Sequence, residues 1–255
     1  MKISVISFNI RCCDDPDGHS IEERAPRLFE AVKPYDADII GFQEVRPSPR
    51  WENRITEQYG EEYGIFNKYR TSDEKKMESS PILWKKDKFD CLETGYFWLS
   101  DTPEVESKGW DELYDCHRIC EYVILKRKGS GEIFTFMNTH FGFGDNGQIA
   151  SARLIYEYSR KISDYPTILV GDFNMTPKSA GYGEITKYFT DVNAVTAKSD
   201  TVTYHGYFGE KSKPSHIDFC FASGKVKPLK WEIIDKTFDG KFPSDHYGIY
   251  TELEI

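Results

Sequence analysis

The 255-residue chain predicts an α/β protein with mixed β-sheets, and three features say so. Short runs rich in β-branched and aromatic residues recur along the whole length. Segments of helical periodicity separate the early runs, and later ones are joined by turns such as "KGSGE" (128–132). Long helical crossovers suit parallel neighbours and tight turns suit antiparallel ones, so both strand senses are expected. No repeat, low-complexity linker or long charge block divides residues 1–255, which read as a single domain.

In chain order, the first strand is expected at 3–10 ("ISVISFNI") and a helix over about 24–33, where Leu28, Phe29 and Val32 share a face and Pro34 lies past the end. Ser20-x-x-Glu23 has the form of a capping box, but Pro26 would then fall inside the helix, so the start is placed near Pro26. A strand at 38–45, a helix near 49–59 and strands at 63–67 and 81–84 follow. Strands at 121–127 and 132–140 precede a helix at 147–163, in which Ala152, Ile155 and Ile162 keep helical spacing. The last strands are expected at 167–171, 216–223 and 247–255. In "TILVGDFN" (167–174), Gly171 is expected to let the chain leave the sheet, and Asp172 and Asn174, two apart in extended backbone, to point the same way.

With 39% hydrophobic and 15% aromatic residues the chain is neither disordered nor fibrous, and no apolar run approaches the roughly 18–20 residues of a membrane span. It opens on "MKISVISFNI", a strand pattern rather than a secretion signal, which implies a cytoplasmic protein. The six cysteines (Cys12, Cys13, Cys91, Cys116, Cys120, Cys220) do not form a disulfide framework and are expected as buried free thiols. "DCHRIC" (115–120) lacks a partner pair at zinc-site spacing. A net charge of -9 disfavours tight, sequence-indifferent binding to long nucleic acid, whereas a carboxylate cluster would suit a divalent cation that admits an anionic substrate.

Several apolar strands contain or end in acids, amides or histidines: Asn9, Glu44, His140, Asp172 with Asn174, Asp218, and Asp245 with His246. Singly, each has an ordinary structural account as a core amide, salt bridge or turn. Together they would cost about 1–3 kcal/mol apiece if left unpaired, so convergence at one sheet edge is the economical explanation.

These words in this order (QE at 43–44, NTH at 138–140, GDFN at 171–174, ID at 217–218, SDH at 244–246) resemble the endonuclease/exonuclease/phosphatase family of metal-dependent phosphoesterases. "SSPILWKKDKF", "FWLSDTPEVESKGWD", "TYHGY" and "FPSDHYGI" are similar to a bacterial branch of it. The resemblance implies a four-layer α/β/β/α sandwich of two mixed sheets flanked by helices, with the site at one end of the sheets. It also implies Mg²⁺ or Mn²⁺, with Glu44 as principal ligand, Asn9 beside it and Asp245 able to complete the site.

On this reading Asp172 activates water, Asn174 orients the water or the phosphate, His140 and His246 donate to phosphate oxygens, and Asp218 holds the His246 tautomer. Alternatively His246 is the base with Asp218 behind it, and Asp172 serves a second metal. Arg118 and Arg46 could each fork a phosphate or form an exposed salt bridge. Glu78 and His205 border the site by analogy. Trp98, Trp110, Phe141, Phe143, Tyr204 and Tyr207 are stacking candidates with core packing as the alternative.

The expected function is a divalent-metal-dependent phosphoesterase, a phosphodiesterase in the first instance, acting on a phosphorylated small molecule or accessible nucleic acid. A nuclease proper and a catalytically silent binding module are the alternatives.

Overall fold

Alternating strands and amphipathic helices assemble here into four layers. The computed structural model describes residues 1–209 and 211–255. The first sheet contains β1 (Lys2–Asn9), β2 (Ile39–Gln43), β3 (Tyr63–Phe66), β4 (Ile82–Lys85), β11 (Lys227–Ile234) and β12 (Gly248–Glu254), in the order β11-β12-β1-β2-β4-β3. The second contains β5 (Phe89–Trp98), β6 (Ile119–Arg127), β7 (Ile133–His140), β8 (Thr167–Asp172), β9 (Thr190–Asp191) and β10 (Asp218–Ala222), in the order β5-β6-β7-β8-β10-β9.

Each sheet is antiparallel except for one central parallel pair, β1 with β2 and β7 with β8. Those pairs are the ones joined through long helices, α1 (Ile21–Val32) and α3 (Asp145–Ile162), as parallel neighbours require. Three shorter helices are α2 (Trp51–Tyr59), α4 (Ala180–Ile185) and α5 (Val192–Val195).

Period-two alternation assigns each side chain a layer. Ile3 and Val5 of β1, Ile39 of β2, Phe134 and Phe136 of β7, and Ile168 and Val170 of β8 form the core between the sheets. The intervening residues Ile6, Phe8, Ile40 and Phe42 face Ala25 and Leu28 of α1 and Trp51 and Ile55 of α2. Met137, Leu169, Phe219 and Phe221 face Ala152 and Ile155 of α3 and Ile185 of α4.

Two expectations about local structure give way. The capping box does form: Ser20 Oγ accepts the Glu23 N–H at 3.3 Å, and the Glu23 carboxylate accepts the Ser20 N–H at 3.1 Å, so α1 starts at Ile21 with Pro26 inside. Pro26 is tolerated because the carbonyl it leaves without an N–H, that of Glu22, belongs to an exposed residue. The strands β5, β9 and β11, not anticipated from sequence, all lie on or end a sheet edge, where charges and Pro228 interrupt the apolar pattern. All six cysteines are free as expected, but only Cys12, Cys120 and Cys220 are buried; Cys13 and Cys116 are half-buried and Cys91 is exposed on β5.

The sheets approach closely at Gly41. A Cβ there would come within 2.9 Å of both the Asn138 amide and Val170. Asn138 is immobilised: its Nδ2 donates to the carbonyls of Phe42, Ser80 and Pro81 at 2.8–3.0 Å, and its Oδ1 accepts from Gln43 at 2.7 Å. The Gln and Asn of the QE and NTH motifs therefore clamp the sheets together. Gly41→Ala is expected to cost about 1–3 kcal/mol by overpacking. An unchanged urea midpoint would refute this account.

Candidate active site

The alternation that buries Val5, Ile39, Phe136 and Val170 between the sheets carries on to the strand ends. It places Asn9, His140, Asp172 and Asp218 on the same inter-sheet face. Residues 9, 140 and 172 close their strands at the carboxyl ends of the parallel pairs, where open α/β sheets form clefts. Glu44 follows β2 with left-handed backbone (φ 63°), which breaks the alternation after the inward Gln43 and turns its carboxylate toward Asn9.

A cavity of about 580 Å³ opens there, lined by Glu44, His140, Asp172, Asn174, Asp245 and His246 among others. Asp172 is the point of convergence. Its Oδ2 lies 2.9 Å from Asn9 Nδ2, 3.5 Å from His140 Nε2 and 3.8 Å from His246 Nε2. Asp218 lies behind: its Oδ2 meets His246 Nδ1 at 2.9 Å. Asn9 Nδ2 also donates to Glu44 at 3.0 Å, and the Cys12 N–H donates to the other Glu44 oxygen at 2.8 Å.

Electrostatics divide the acids. Burial pushes Asp172 up to about 7, helped by the neighbouring charge of Asp218. Burial would raise Glu44 too, but His140, the Cys12 N–H, Arg11 and Asn9 outweigh it and hold the carboxyl well below the usual range. Burial depresses His140, and the Arg118 charge adds to this. His246 shows the reverse: burial opposes its charge, yet Asp218, Asp172 and Asp245 raise it to about 10.

That last shift has a consequence for stability. A histidine raised in the folded state contributes stability that is fully present below its unfolded value of 6.5 and is lost as pH rises through about 10. In EDTA, the unfolding free energy is expected to fall between pH 7 and 10 by about 2–3 kcal/mol more in the native sequence than in Asp218→Asn. Parallel pH profiles would contradict the pairing.

Three buried carboxylates, Asp172, Asp218 and Asp245, and the half-buried Glu44 share this region with the basic side chains of Arg11, Arg70, Arg118 and Lys213. Arg11 reaches Asp245 only at 3.7 Å and is held by both oxygens of Asp15 at 3.0 Å. Ligand atoms of Asp172, Asp218 and His246 lie within 4.8 Å of one another. His246 Nδ1 is already committed to Asp218, while Glu44 and Asp245 line the same cavity with carboxylates, the donor type that suits a hard divalent ion.

Several expected roles change. Asn9 turns its N–H, not its oxygen, toward the carboxylates, because its Oδ1 accepts the Arg11 N–H at 3.0 Å. It bridges Glu44 and Asp172. Asn174 is not extended: at φ 48° its N–H closes an Asx turn on Asp172 Oδ1 at 2.9 Å, and its amide reaches His140 Nε2 at 3.1 Å. Gly171 stays within β8, where a Cβ would collide with the Thr139 carbonyl of β7.

Arg46 does not line the cavity. It donates to the Lys75 carbonyl at 2.8 Å and faces Glu78 at 3.6 Å. His205 is fully buried behind the site among Phe208, Phe242 and Tyr247, and its N–H donates to the Asp245 carbonyl at 2.9 Å. Arg118 and Glu78 do line the cavity, as do Phe143 and Tyr204. Phe141 is core, Trp98 donates to the Arg70 carbonyl, Trp110 to Asp101, and Tyr207 stacks on His19.

Sequence reasoning missed Arg11 and Arg70, which line the cavity, and Arg24, which shapes it. Arg24 is fully buried in α1 and donates to the carbonyls of Ile10, Arg11, Cys13 and His19 at 2.5–3.1 Å, fixing the segment that offers its Cys12 N–H to Glu44. An arginine among the apolar positions of a helix was the available signal.

Comparison with known proteins agrees with this geometry. A sequence model of the Endonuclease/Exonuclease/phosphatase family matches residues 6–246. Protein L388 of Acanthamoeba polyphaga mimivirus is 27% identical over 238 residues, 86% of this chain and 87% of that one. An endonuclease/exonuclease/phosphatase family protein from Bacteroides thetaiotaomicron superposes with a TM-score of 0.87 at 28% identity, covering 99% of this chain and 97% of its own. The mannosyl-6-phosphatase Bt3783 of the same organism gives 0.85 at 27% identity, covering 99% and 100%. With a match from Ile6 in β1 to the histidine of the SDH motif, the chain belongs to the endonuclease/exonuclease/phosphatase family, hydrolases that act on phosphate esters.

Proposed function

We propose that this protein is a divalent-metal-dependent phosphoesterase for a small phosphorylated substrate, with the reaction centred on Asp172. The observation that carries the reading is the convergence of Asn9, His140 and His246 on one Asp172 oxygen at 2.9–3.8 Å inside the cavity. A binding module has no need of that combination. Glu44 and Asp245 would hold Mg²⁺ or Mn²⁺, which supplies charge neutralisation at the phosphate and the departing oxygen when bound.

The chain's own groups divide the remaining work. Asp172, raised to about 7, is matched to taking a proton from an attacking water near neutral pH. His246, kept cationic by Asp218, donates a hydrogen bond to a non-bridging oxygen and balances the charge that grows there. Asn174 and His140 orient the water or phosphate beside Asp172. The Arg118 side chain is 6% exposed, lines the cavity and has no hydrogen-bond partner for Nη1 among the described residues, which suits a second phosphate contact.

The net charge of -9 and the sugar phosphatase among the similar structures both support a small substrate over long nucleic acid. No helix among the described residues is long and apolar enough to cross a membrane. The test is hydrolysis of bis-(p-nitrophenyl) phosphate, sugar phosphates, nucleotides, DNA and RNA, in Mg²⁺, Mn²⁺ or EDTA. Metal-dependent release from a small ester is expected. Inactivity across the panel with either metal would reject the reading.

A further inference from the structure

The glycine-rich segment after His140, "FGFGDNG" (141–147), is shaped to be covered. A Cβ on Gly142 would lie 2.8 Å from Asp111 Cβ, one on Gly144 would run into the Glu112 side chain, and one on Gly147 into the Trp110 carbonyl. Three glycines thus let residues 110–112 lie directly on the approach to α3. The Glu112 N–H donates to the Phe143 carbonyl at 2.9 Å, and the Glu112 carboxylate accepts the Asn146 and Gly147 N–H groups at 3.1 and 3.4 Å.

Asp111 lies at the centre of this seam, with its side chain 1% exposed. Its Oδ1 accepts the N–H groups of Leu113 and Tyr114 at 3.0 and 2.8 Å, while Oδ2 accepts Nε and Nη2 of Arg118 at 3.3 and 3.1 Å. One buried carboxylate thereby fixes both the guanidinium beside the reacting region and the backbone of Tyr114. Tyr114 is 53% exposed, meets Phe143 edge-on with ring centroids 5.3 Å apart, and both rings line the cavity.

We infer that this two-loop wall is a leaving-group subsite that takes a small, uncharged ring carried on the phosphate. The ring packs against Tyr114 and Phe143 while Arg118 engages the phosphate, and Asp111 is the positioning residue that sets the distance between the two contacts. The charge of the wall selects against a polyanion: segment 101–115 holds six carboxylates and one lysine, so a polynucleotide crossing it meets repulsion that a neutral sugar ring does not. An exposed tyrosine set edge-on to a half-buried phenylalanine at the cavity wall suits the apolar C–H face of such a ring. The inference rests on reading the cleft as a phosphoester-hydrolysing site.

The experiment compares mannose 6-phosphate with ring-free glycerol 2-phosphate in Mg²⁺, using the native sequence, Tyr114→Ala and Asp111→Asn. Tyr114→Ala is expected to raise KM roughly 2- to 10-fold for the sugar phosphate alone, with kcat unchanged. Asp111→Asn is expected to raise KM for both esters, because it releases Arg118 as well as Tyr114. A Tyr114→Ala protein that shifts neither ester, or both equally, overturns the subsite, as does faster cleavage of a single-stranded oligonucleotide that is indifferent to Tyr114. If the native protein hydrolyses neither ester, calorimetric binding of mannose 6-phosphate decides. Tyr114-dependent binding then retains the subsite while the hydrolytic reading falls, and absent or Tyr114-independent binding overturns the subsite too.

Discussion

Replacing Asp172 with asparagine is expected to lower turnover of a phosphodiester by about 10²–10⁴-fold, the range lost when a positioned general base is removed. The change is nearly isosteric. The substituted amide retains one oxygen to accept the Asn174 N–H, now bonded at 2.9 Å, but turns its NH₂ toward Asn9 Nδ2, which now donates to Oδ2 at 2.9 Å; ending the repulsion between residues 172 and 218 offsets part of that clash. The clash is expected to cost about 1–3 kcal/mol of stability, so the melting curve shows whether the protein stays folded at the assay temperature and lost turnover reports chemistry. Initial rates with bis-(p-nitrophenyl) phosphate, beside a melting curve, make the comparison. Turnover within about threefold of native would move the proton-accepting role away from Asp172.

Glu44→Gln should have the second large effect, and its readout is independent of catalysis. In the native sequence both Glu44 oxygens accept hydrogen bonds, from Asn9 at 3.0 Å and the Cys12 N–H at 2.8 Å, and each keeps a further lone pair. A glutamine supplies one acceptor and turns an NH₂ group against the other donor, leaving a buried clash worth about 1–3 kcal/mol. It also removes the full negative charge. Mg²⁺ at about 100 times its dissociation constant should stabilise the native protein by about 2.7 kcal/mol. In Glu44→Gln that stabilisation should vanish over the same range, with affinity reduced beyond the roughly 10- to 100-fold typical of outer-shell changes. An equal Mg²⁺-induced shift in both proteins would place the ion elsewhere.

Apart from the edge strand β3, the strands most legible in the sequence are those whose two faces are both covered. Ile3–Ile10, Ile39–Phe42, Phe134–Met137 and Ile168–Val170 sit in sheet centres between a helix layer and the other sheet, so they read as nearly continuous apolar runs. β5 is hidden in the sequence because Asp90 to Thr94 are exposed at a sheet edge, and β11 because Pro228 and a register shift interrupt it. The start of α1 departs from expectation for a related reason. Whether a proline inside a helix is costly depends on the carbonyl it leaves unpaired, and that Glu22, which carries it, is exposed is a tertiary fact.

The sequence by itself determined which polar residues share one face. Strand alternation is local geometry, so Asn9, His140, Asp172 and Asp218 had to share the face that carries the inter-sheet core, and their positions at strand ends placed them at one rim. Only the tertiary structure decided which cations belong to the cleft. Arg46 and Arg118 are indistinguishable as residues near apolar strands, yet Arg46 turns to Glu78 and the Lys75 carbonyl whereas Asp111 holds Arg118 toward the cavity. His205, Arg11 and Arg24 were sorted in the same way. The physical reason is reach: a long side chain ends several ångströms from its backbone, and its partner is chosen by which distant loop folds over it, a choice that strand periodicity does not encode.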